Sequence, residues 1–221
     1  MDKKRFKLSE DFWQKTPEGF SSLYEWNINP VKMAANIFLK QRSKIVQGEI
    51  LSGDSHETLL DLGCGSGDLG ISLSDSFQKV ILSDYSEGML DIARKNISKQ
   101  TNIDLICNDA TDIPVGDRTV DNTIAIGLLD YVKETGAVLN EVSRVSNSGS
   151  TLVITAPKSP TIFQFLRVST AFRKSVSGCP PIVNSLTKLE FEELLVQHDF
   201  KILKMAALWD AMWIVTAKKL K

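Results

Sequence analysis

The sequence predicts a doubly wound α/β fold with a mostly parallel sheet of seven strands, in which a C-terminal hairpin is antiparallel. Short apolar runs alternate with amphipathic segments from residue 58 to residue 155, which is the pattern of right-handed βαβ crossovers. A glycine-rich turn follows the first apolar run, and two apolar runs joined by a short link end the chain. At 221 residues the chain has the length of one well-buried domain.

A long helix is expected before the first strand. Asn29-Pro30 is typical of a helix N-cap followed by proline at the first helical position, and apolar residues recur at helical spacing to about Leu51. Farther along, apolar runs predict strands at Thr58–Asp61, Lys79–Ser83, Ile103–Cys107, Val120–Ile126 and Thr151–Thr155. Amphipathic segments between these strands predict helices that begin near Asp68 and that cover Ser86–Lys99 and Thr135–Ser146.

The alternation stops after the fifth strand. Residues 157–186 contain four prolines and several aromatic side chains, and we expect them to form an insertion packed over the sheet edge. A capping-box pattern opens a last helix at Thr187–Gln197, and the runs Phe200–Ala207 and Met212–Ala217 predict the closing hairpin. The expected organisation is a single domain, 1–221, with an N-terminal lid and helix (1–54), a cofactor-binding core (55–156), a substrate-side insertion (157–186) and a C-terminal helix and hairpin (187–221).

Composition limits the partners and the compartment. Twenty-six basic and 27 acidic residues leave a formal net charge of −1, which provides no long-range attraction for a polyanion and disfavours a nucleic-acid partner. No apolar stretch approaches the ~20 residues of a membrane-spanning helix, and the N-terminal residues lack the apolar core of a signal peptide. Three separated cysteines without a CxxC pair fit reduced thiols in the cytoplasm and offer no metal site.

Directly after the first strand, glycines stand at three alternate positions: Gly63, Gly65 and Gly67. Glycine there lets the backbone turn sharply and approach a ligand closely, although a tight turn without a ligand has the same requirement. The turn also contains the GxGxxG spacing of dinucleotide sites, ending at Gly70. Carboxylates at Asp61 and Asp68 would repel a pyrophosphate but would suit the ammonium and sulfonium charges of S-adenosylmethionine.

Two further acidic residues follow the next two strands. Asp84 ends the second strand, where a carboxylate accepts hydrogen bonds from both hydroxyls of a ribose. The alternative for Asp84 is a helix N-cap before the segment that begins at Ser86. Asp109 follows the third strand and has two interpretations, as an acceptor from an adenine amino group or as part of a surface turn.

Four segments in order carry a family resemblance: LLDLGCGSGDLG (59–70), LSDYSEGML (82–90), CNDATDIP (107–114) and DNTIAIGLLDYV (121–132). They resemble the motifs of the class I, Rossmann-like methyltransferases that depend on S-adenosylmethionine, and the match covers about residues 55–156. A weaker likeness extends to the magnesium-protoporphyrin methyltransferases and to the methyltransferases of ubiquinone and menaquinone biosynthesis. The resemblance implies methyl transfer from S-adenosylmethionine to a small molecule.

The resemblance also implies which residues contact the cofactor. It assigns Asp61, Gly63 and Gly65 to the methionine side, Asp84 to the ribose, Tyr85 and Met89 to the adenosine, Asp109 and Ala110 to the adenine, and Ile126 and Gly127 to the sulfonium. Gly67 completes the glycine turn. Cys64 occupies a position in the turn where the family often has cysteine, and we expect it to be a packed thiol rather than a nucleophile.

No general base is assigned from the sequence. His56 precedes the first strand and is expected at the end of the sheet opposite the ligand, and His198 ends the last helix, where a structural role is expected. Tyr24, Asp130 and Tyr131 are better placed, but each also fits packing or capping.

The acceptor pocket is expected between the N-terminal aromatic segment and the 157–186 insertion. Its apolar lining would come from Phe163, Phe165, Phe172, Pro180 and Pro181, and an anionic group would meet Arg167 and Arg173. The alternative is an amphipathic helix that only covers the sheet. The pocket interpretation predicts a flat or elongated, partly apolar acceptor.

Three other functions fit parts of the same pattern. An NAD-dependent oxidoreductase would use the same glycines, and a non-catalytic binding module would keep the fold without a base. Methylation of a protein or nucleic acid is disfavoured by the net charge and by the absence of an added recognition domain. The C-terminal hairpin, with Trp209 and Trp213, offers a surface for a homodimer.

Overall fold

The computed structural model describes residues 30–161 and 182–221. The strands are β1 (Thr58–Leu62), β2 (Lys79–Asp84), β3 (Ile103–Cys107), β4 (Val120–Ala125), β5 (Ser146–Pro157), β6 (Phe200–Leu208) and β7 (Met212–Lys219). The helices are α1 (Pro30–Leu51), α2 (Asp68–Leu73), α3 (Glu87–Asn96), α4 (Thr135–Val145) and α5 (Lys188–Gln197), with a 3₁₀ turn at Ser74–Ser76. The predicted lid and most of the predicted insertion lie outside the described residues.

One sheet contains all seven of these strands, in the order β3-β2-β1-β4-β5-β7-β6. β3, β2, β1, β4 and β5 pair in parallel, and β7 pairs antiparallel with both β5 and β6. The predicted fold class is confirmed. The strand order reverses direction between β1 and β4, and open α/β sheets bind their ligands at such a switch point, outside the carboxyl ends of the strands.

Two apolar clusters, one on each face of the sheet, form the core. Successive strand side chains point to opposite faces, so Leu59 of β1 packs with Val46 and Ile50 of α1, while Leu60 packs in the cluster of α4 and α5. α2 and α3 complete the first face. This two-sided burial explains why β1 and β2 have nearly continuous apolar runs rather than alternating ones.

Two element boundaries differ from the prediction by three residues or more. β5 begins at Ser146, directly after α4, whereas the sequence predicts a strand only from Thr151. The polar stretch between these residues includes Gly149 at φ +77° and an irregular register against β4, so it extends the strand without an alternating pattern. α3 ends at Asn96 rather than Lys99, because Ile97 is already extended.

The C-terminal elements follow the prediction closely. Thr187 caps α5 and Glu190 completes the capping box, with both reciprocal hydrogen bonds present. In the hairpin, Trp209 packs edge-on against Phe38 and donates its indole N–H to Gln41, 2.7 Å away. Trp213 donates to the Leu186 carbonyl at 2.9 Å. Both indoles therefore bind their own chain, and the homodimer stays a prediction.

Within residues 30–161 and 182–221, no helix has the length and apolar character of a membrane-spanning segment. The same ranges contain no group of three or more His, Cys, Asp or Glu side chains arranged to hold a metal ion. The two cysteines in the described part of the chain, Cys64 and Cys107, are free thiols.

Candidate functional site

The candidate site lies at the carboxyl ends of β1 to β4. The turn that follows β1 is fastened to the end of β2, because the amides of Gly63 and Cys64 both donate to the Ser83 carbonyl, at 2.8 and 3.0 Å. This pair of hydrogen bonds continues the β1–β2 ladder past the end of β1. The backbone of the glycine turn is thereby held beside Asp84, the last residue of β2.

All three glycines of the turn have left-handed backbones, with φ of +74° at Gly63, +55° at Gly65 and +76° at Gly67. Their surroundings differ. A Cβ at Gly63 would lie 3.1 Å from Leu128, and one at Gly67 would press on three apolar side chains. A Cβ at Gly65 would have no neighbour within 4 Å. Gly65 is therefore the position where the turn faces open space and where a ligand can approach the backbone.

Asp84 joins the turn to the helix behind it. Its Oδ2 accepts from the Gly65 amide at 2.8 Å, and its Oδ1 accepts from the Ser86 amide at 2.9 Å. The N-cap of α3 is Ser86, whose hydroxyl accepts from the Met89 amide, so the alternative interpretation of Asp84 as an N-cap is wrong. Burial raises the pKa of Asp84, against the lowering effect of its backbone hydrogen bonds.

Asp61 lies beneath the turn rather than on its surface. The residue is 2% exposed, and its Oδ2 accepts from the Gly70 amide at 3.0 Å. Burial is the main cause that raises its pKa to about 7, with smaller contributions from the charges of Asp84 and Asp68. Asp61 is therefore only partly ionised at neutral pH, and the predicted repulsion of a pyrophosphate rests more on Asp84 and on exposed Asp68.

Tyr85 and Met89 take different positions beside Asp84. Tyr85 is 47% exposed, so its ring is accessible to a ligand, whereas Met89 is 1% exposed and belongs to the buried face of α3. A contact of Met89 with a cofactor stays a prediction. Cys107, at the end of β3, lies 3.6 Å from the Tyr85 carbonyl through its sulfur.

Asp109 forms a local turn. Its Oδ1 accepts from the amide and the hydroxyl of Thr111, both at 2.8 Å, so the predicted surface turn is present, and adenine recognition by Asp109 stays a prediction. The side chain of Asn108 holds this turn against β2. Its Oδ1 accepts from the Ser83 hydroxyl at 2.7 Å, and its Nδ2 donates to the Asp109 carbonyl. Ala110 packs against the core.

The loop that follows Asp109 is held by a residue that the sequence analysis did not single out. Arg144 of α4 donates to the carbonyls of Ile113 and Val115, at 2.8 and 2.9 Å, and pairs with Glu141. The side chains of Glu141 and Asp117 raise the pKa of Arg144, which keeps its guanidinium charged. One arginine without a flanking motif gives no signal in the sequence, because only the packing of α4 brings it to the loop.

The other wall of the site follows β4. Gly127 has φ +74° and donates its amide to Thr155 Oγ1 at 2.8 Å. Arg42 of α1 reaches this point, since its Nη1 lies 3.2 Å from where a Cβ of Gly127 would be. Ile126 is half-buried against the cluster that contains Ile124. The structure thus brings the residues predicted for the sulfonium to the side of the turn opposite Asp84.

Cys64 is half-buried inside the turn, and its sulfur lies 3.6 Å from the Gly65 carbonyl. Burial, followed by the charges of Asp61 and Asp84, raises the pKa of this thiol well above its usual value. A protonated thiol is a poor nucleophile, so these surroundings favour the interpretation of Cys64 as a packed thiol.

The candidate bases are distributed as follows. His56 stacks on Phe77, before β1 and at the amino ends of the strands, and His198 Nδ1 lies 2.6 Å from the Leu194 carbonyl at the end of α5. These contacts fit the structural roles expected of both histidines, which stay predictions. Asp130 is buried after β4, and its carbonyl accepts from the Val183 amide at 2.8 Å. Tyr131 is half-buried, and Tyr24 lies outside the described residues. The general base therefore stays unassigned.

Most of the predicted acceptor pocket also lies outside the described residues, including its phenylalanines, its prolines 180 and 181 and both of its arginines. Two residues that flank this stretch in the chain are anchored near the site. Thr161 donates its hydroxyl to the Asp210 carbonyl at 2.6 Å, and Asn184 donates to the Leu129 carbonyl at 2.9 Å. The predicted pocket therefore stays a prediction.

Sequence comparison identifies relatives over the same region. Residues 59–149 match the family model for a methyltransferase domain. Demethylmenaquinone methyltransferase of Shouchella clausii (strain KSM-K16) is 31% identical over 162 residues, which are 69% of this chain and 65% of that protein. Demethylmenaquinone methyltransferase of Clavibacter sepedonicus is 33% identical over 122 residues, 55% of this chain and 49% of that protein. The chain thus spans about half to two thirds of the length of these relatives.

Two solved structures resemble this fold over nearly the whole chain. Magnesium protoporphyrin IX methyltransferase from Synechocystis PCC 6803, crystallised with bound SAH, has a TM-score of 0.76 at 16% identity, covering 97% of this chain and 99% of that one. The [4+2]-cyclase SpnF has a TM-score of 0.71 at 16% identity, covering 97% and 96%. The named reactions of these two proteins differ, so the shared fold does not by itself assign a reaction.

Proposed function

We propose that this chain is a class I, Rossmann-like methyltransferase that transfers a methyl group from S-adenosylmethionine to an oxygen, nitrogen or carbon atom of a small molecule. The observation that carries the proposal is the pairing of Gly65 with Asp84. The amide of Gly65 donates to Asp84 Oδ2 at 2.8 Å, and this hydrogen bond joins the open side of the glycine turn to the end of β2.

The described residues fit this cofactor. Each oxygen of the Asp84 carboxylate accepts one backbone N–H and retains acceptor capacity for a ribose hydroxyl. Exposed Tyr85 stands next in the chain, where its ring can cover the adenosine. Carboxylates at Asp68 and Asp84 favour a cofactor that carries ammonium and sulfonium charges over one that carries a pyrophosphate.

The cofactor supplies an activated methyl group: its carbon bonds to the acceptor atom as its bond to sulfur breaks, sulfur keeps the electron pair, and any acceptor proton leaves to a base or water. The protein's main task is then to hold the acceptor atom in line, ~3 Å from the methyl carbon. In the proposed arrangement Gly127 and Ile126 flank the sulfur, and the acceptor enters from the side of Asp130 and Tyr131.

The acceptor is proposed to be a flat or elongated, partly apolar molecule. The printed names of the relatives, demethylmenaquinone and magnesium protoporphyrin IX methyltransferase, denote ring-bearing acceptors and support this class. We place the reaction in the cytoplasm, because the two described cysteines are free thiols. An organic acceptor of this class needs no metal and no nucleic acid as a partner.

The test is calorimetric titration of the purified protein with S-adenosylmethionine, S-adenosylhomocysteine and NADH. We expect micromolar binding of the two sulfur compounds and none of NADH. In an Asp84→Ala variant their affinity should fall at least about tenfold, since a carboxylate that accepts hydrogen bonds is lost. Asp104→Ala is the matched control, because Asp104 on β3 is exposed and pairs with Lys79 at the surface.

Each outcome has a defined meaning. If neither S-adenosylmethionine nor S-adenosylhomocysteine binds, the proposal is refuted. If NADH binds tightly and the two sulfur compounds do not, the result supports an oxidoreductase. Binding of S-adenosylmethionine without any methylated product, across quinol, porphyrin and phenol acceptors, would favour the non-catalytic module. A product whose mass increases by one methyl group would establish the transferase.

A further inference from the structure

The turn that follows β3 is braced by the side chain of Asn108. Its Nδ2 donates to the carbonyls of Asp109 and Asp112, at 2.7 and 3.3 Å, so the side-chain amide spans the turn from its first residue to its last. Its Oδ1 accepts from the Ser83 hydroxyl at 2.7 Å. Because both partners of Nδ2 are carbonyl oxygens, which only accept, the orientation of the amide is fixed and Oδ1 must face β2.

Ser83 connects this turn to the glycine turn. Its hydroxyl is buried and donates to Asn108, while its carbonyl accepts from the amides of Gly63 and Cys64. One residue of β2 therefore holds the glycine turn through its backbone and the turn after β3 through its side chain. Asp84, the next residue, adds a second connection, since its carbonyl accepts from the Asn108 backbone amide at 3.1 Å.

This brace fixes the position of the Asp109 carboxylate. Asp109 is exposed, so its position depends on the hydrogen bonds of the turn rather than on burial. Its Oδ1 is engaged by Thr111, and its Oδ2 retains the capacity to accept an N–H from a ligand. In the proposed arrangement the ribose lies at Asp84 and the base extends toward this turn. Adenine presents an amino group there, which a carboxylate attracts, whereas hypoxanthine presents an oxygen, which a carboxylate repels.

We propose that Asn108 is a positioning residue for the base of the cofactor: together with Ser83 it holds the turn at 109–112 at a fixed distance from the glycine turn, and it thereby sets the preference for adenine over hypoxanthine. The inference rests on the proposed function and deepens it. Ribose and base belong to one ligand, so the two turns must be placed relative to each other. Contacts of this kind must be held to within about 0.5 Å by the residues behind them.

The experiment measures by calorimetry the affinity for S-adenosylhomocysteine and for S-inosylhomocysteine, in which oxygen replaces the amino group of the base. The wild-type protein should bind the adenine ligand about 10- to 100-fold more tightly, as expected for a hydrogen bond to a charged acceptor. Asn108→Ala should reduce this preference to less than about threefold through weaker binding of S-adenosylhomocysteine, with little change for the inosine ligand. A general loosening of the protein would weaken both ligands alike.

A second variant tests the connection through Ser83. Ser83→Ala removes the hydroxyl and leaves the carbonyl that holds the glycine turn, so it should lower the preference in the same direction as Asn108→Ala. In the Asn108→Ala background the same substitution should leave the affinity for S-adenosylhomocysteine unchanged, because its partner is already gone. Additive losses in the double variant would contradict the role given to Ser83.

Asn102→Ala is the matched control. Asn102 precedes β3 at the opposite end of the strand, and its Nδ2 also donates to two backbone carbonyls, those of Ser74 and Phe77. Its loss should destabilise the fold but leave the base preference unchanged. Circular dichroism checks that each variant is folded, and Ser83→Ala serves if Asn108→Ala is not.

The outcomes separate the inference from the proposed function. Wild-type protein that binds S-adenosylhomocysteine without preferring it over the inosine ligand would overturn the inference and leave the proposed function intact. A folded Asn108→Ala variant that weakens both ligands alike, or neither, would do the same. Wild-type protein that binds neither ligand would refute the proposed function, and the inference with it.

Discussion

Asp61 is an ionisable carboxyl group in a place that water does not reach. Its pKa is raised to about 7 in the folded protein, chiefly by burial, against a usual value of 3.8. Between about pH 4 and pH 7 the folded protein therefore holds a proton that the unfolded chain has released. Raising the pH through this window costs stability, and above pH 7 the cost is complete.

We predict that Asp61→Asn removes this cost. The asparagine side-chain oxygen can still accept from the Gly70 amide, so the turn should keep its shape. The free energy of unfolding of the variant, relative to wild type, should rise between pH 4 and pH 8. A pKa gap of about three pH units at about 1.4 kcal/mol each gives an upper limit of about 4 kcal/mol. The measurement is urea unfolding of both proteins at several pH values.

All other ionisable groups are the same in wild type and Asp61→Asn. The difference between their free energies of unfolding therefore reports the effect of Asp61. Asp91→Asn provides the control, because it makes the same change of side chain at an exposed position on α3. A wild-type-to-variant difference that is flat from pH 4 to pH 8 would show that Asp61 keeps an ordinary pKa. The raised pKa depends on burial under α2, and so it could not be predicted from the sequence.

At the scale of the element, α2 packs unusually closely on the sheet. Gly70 lies in the middle of this six-residue helix, where alanine would ordinarily stabilise by about 1 kcal/mol. A Cβ at Gly70 would overlap the Leu82 side chain of β2 and would lie 2.8 Å from Asp61 Oδ2. At position 70, helix propensity therefore favours alanine, whereas the close packing on the sheet favours glycine.

We predict that the packing penalty is larger. Gly70→Ala should lower the free energy of unfolding by about 1–3 kcal/mol, because Leu82 and Asp61 are held by the core and cannot yield freely. Gly48→Ala is the matched control: Gly48 is also helical, in α1, but a Cβ there has no neighbour within 4 Å. That control should be stabilised by up to about 1 kcal/mol. Thermal or urea unfolding measures both, and changes of the same sign would contradict the argument.

The elements show where sequence patterns are sufficient. The strands β1 and β2 are buried on both faces, so their apolar runs mark them directly, and the glycine turn and Asp84 follow at their ends. β5 was predicted too short because its first residues, Ser146 to Ser150, are polar and contain Gly149. Their strand geometry comes from pairing with β4, which is a tertiary effect that no local pattern records.

At the scale of the whole molecule, the sequence predicts those parts of the site that directly follow the parallel strands in the chain. Parallel strands bring their carboxyl ends to one edge, so residues that directly follow β1, β2, β3 and β4 meet without further information. Arg42 reaches this edge only through the packing of α1, and Arg144 of α4 holds the loop between β3 and β4 at residues 113–117. This is why the sequence analysis named Asp84 and Gly65 but did not assign a role to either arginine.

A depression in the surface lies at the end of the sheet opposite to the candidate site. An open depression of about 670 Å³ lies at the amino ends of the strands, lined by residues of 54–57 and 75–78, including His56 and Phe77. The proposed cofactor site lies at the opposite edge. Judged by its volume alone, the depression would be chosen as the ligand site. The left-handed glycines and the carboxylate of Asp84 instead favour a ligand site at the carboxyl ends of the strands. The chemistry of the lining outweighs volume, because a shallow polar surface offers a ligand little burial.

Hydrogen exchange with and without saturating S-adenosylhomocysteine distinguishes the two edges. We predict slower exchange in peptides that contain residues 61–67, 84–89 and 108–112, because a bound ligand stabilises the turn and the ends of β2 and β3 against local opening. Peptides covering 54–57 and 75–78 should exchange at unchanged rates, and they are the internal control. Protection of these control peptides without protection of the glycine turn would move the ligand to the amino edge. That result would remove the support that Asp84 and Gly65 lend to the proposed function.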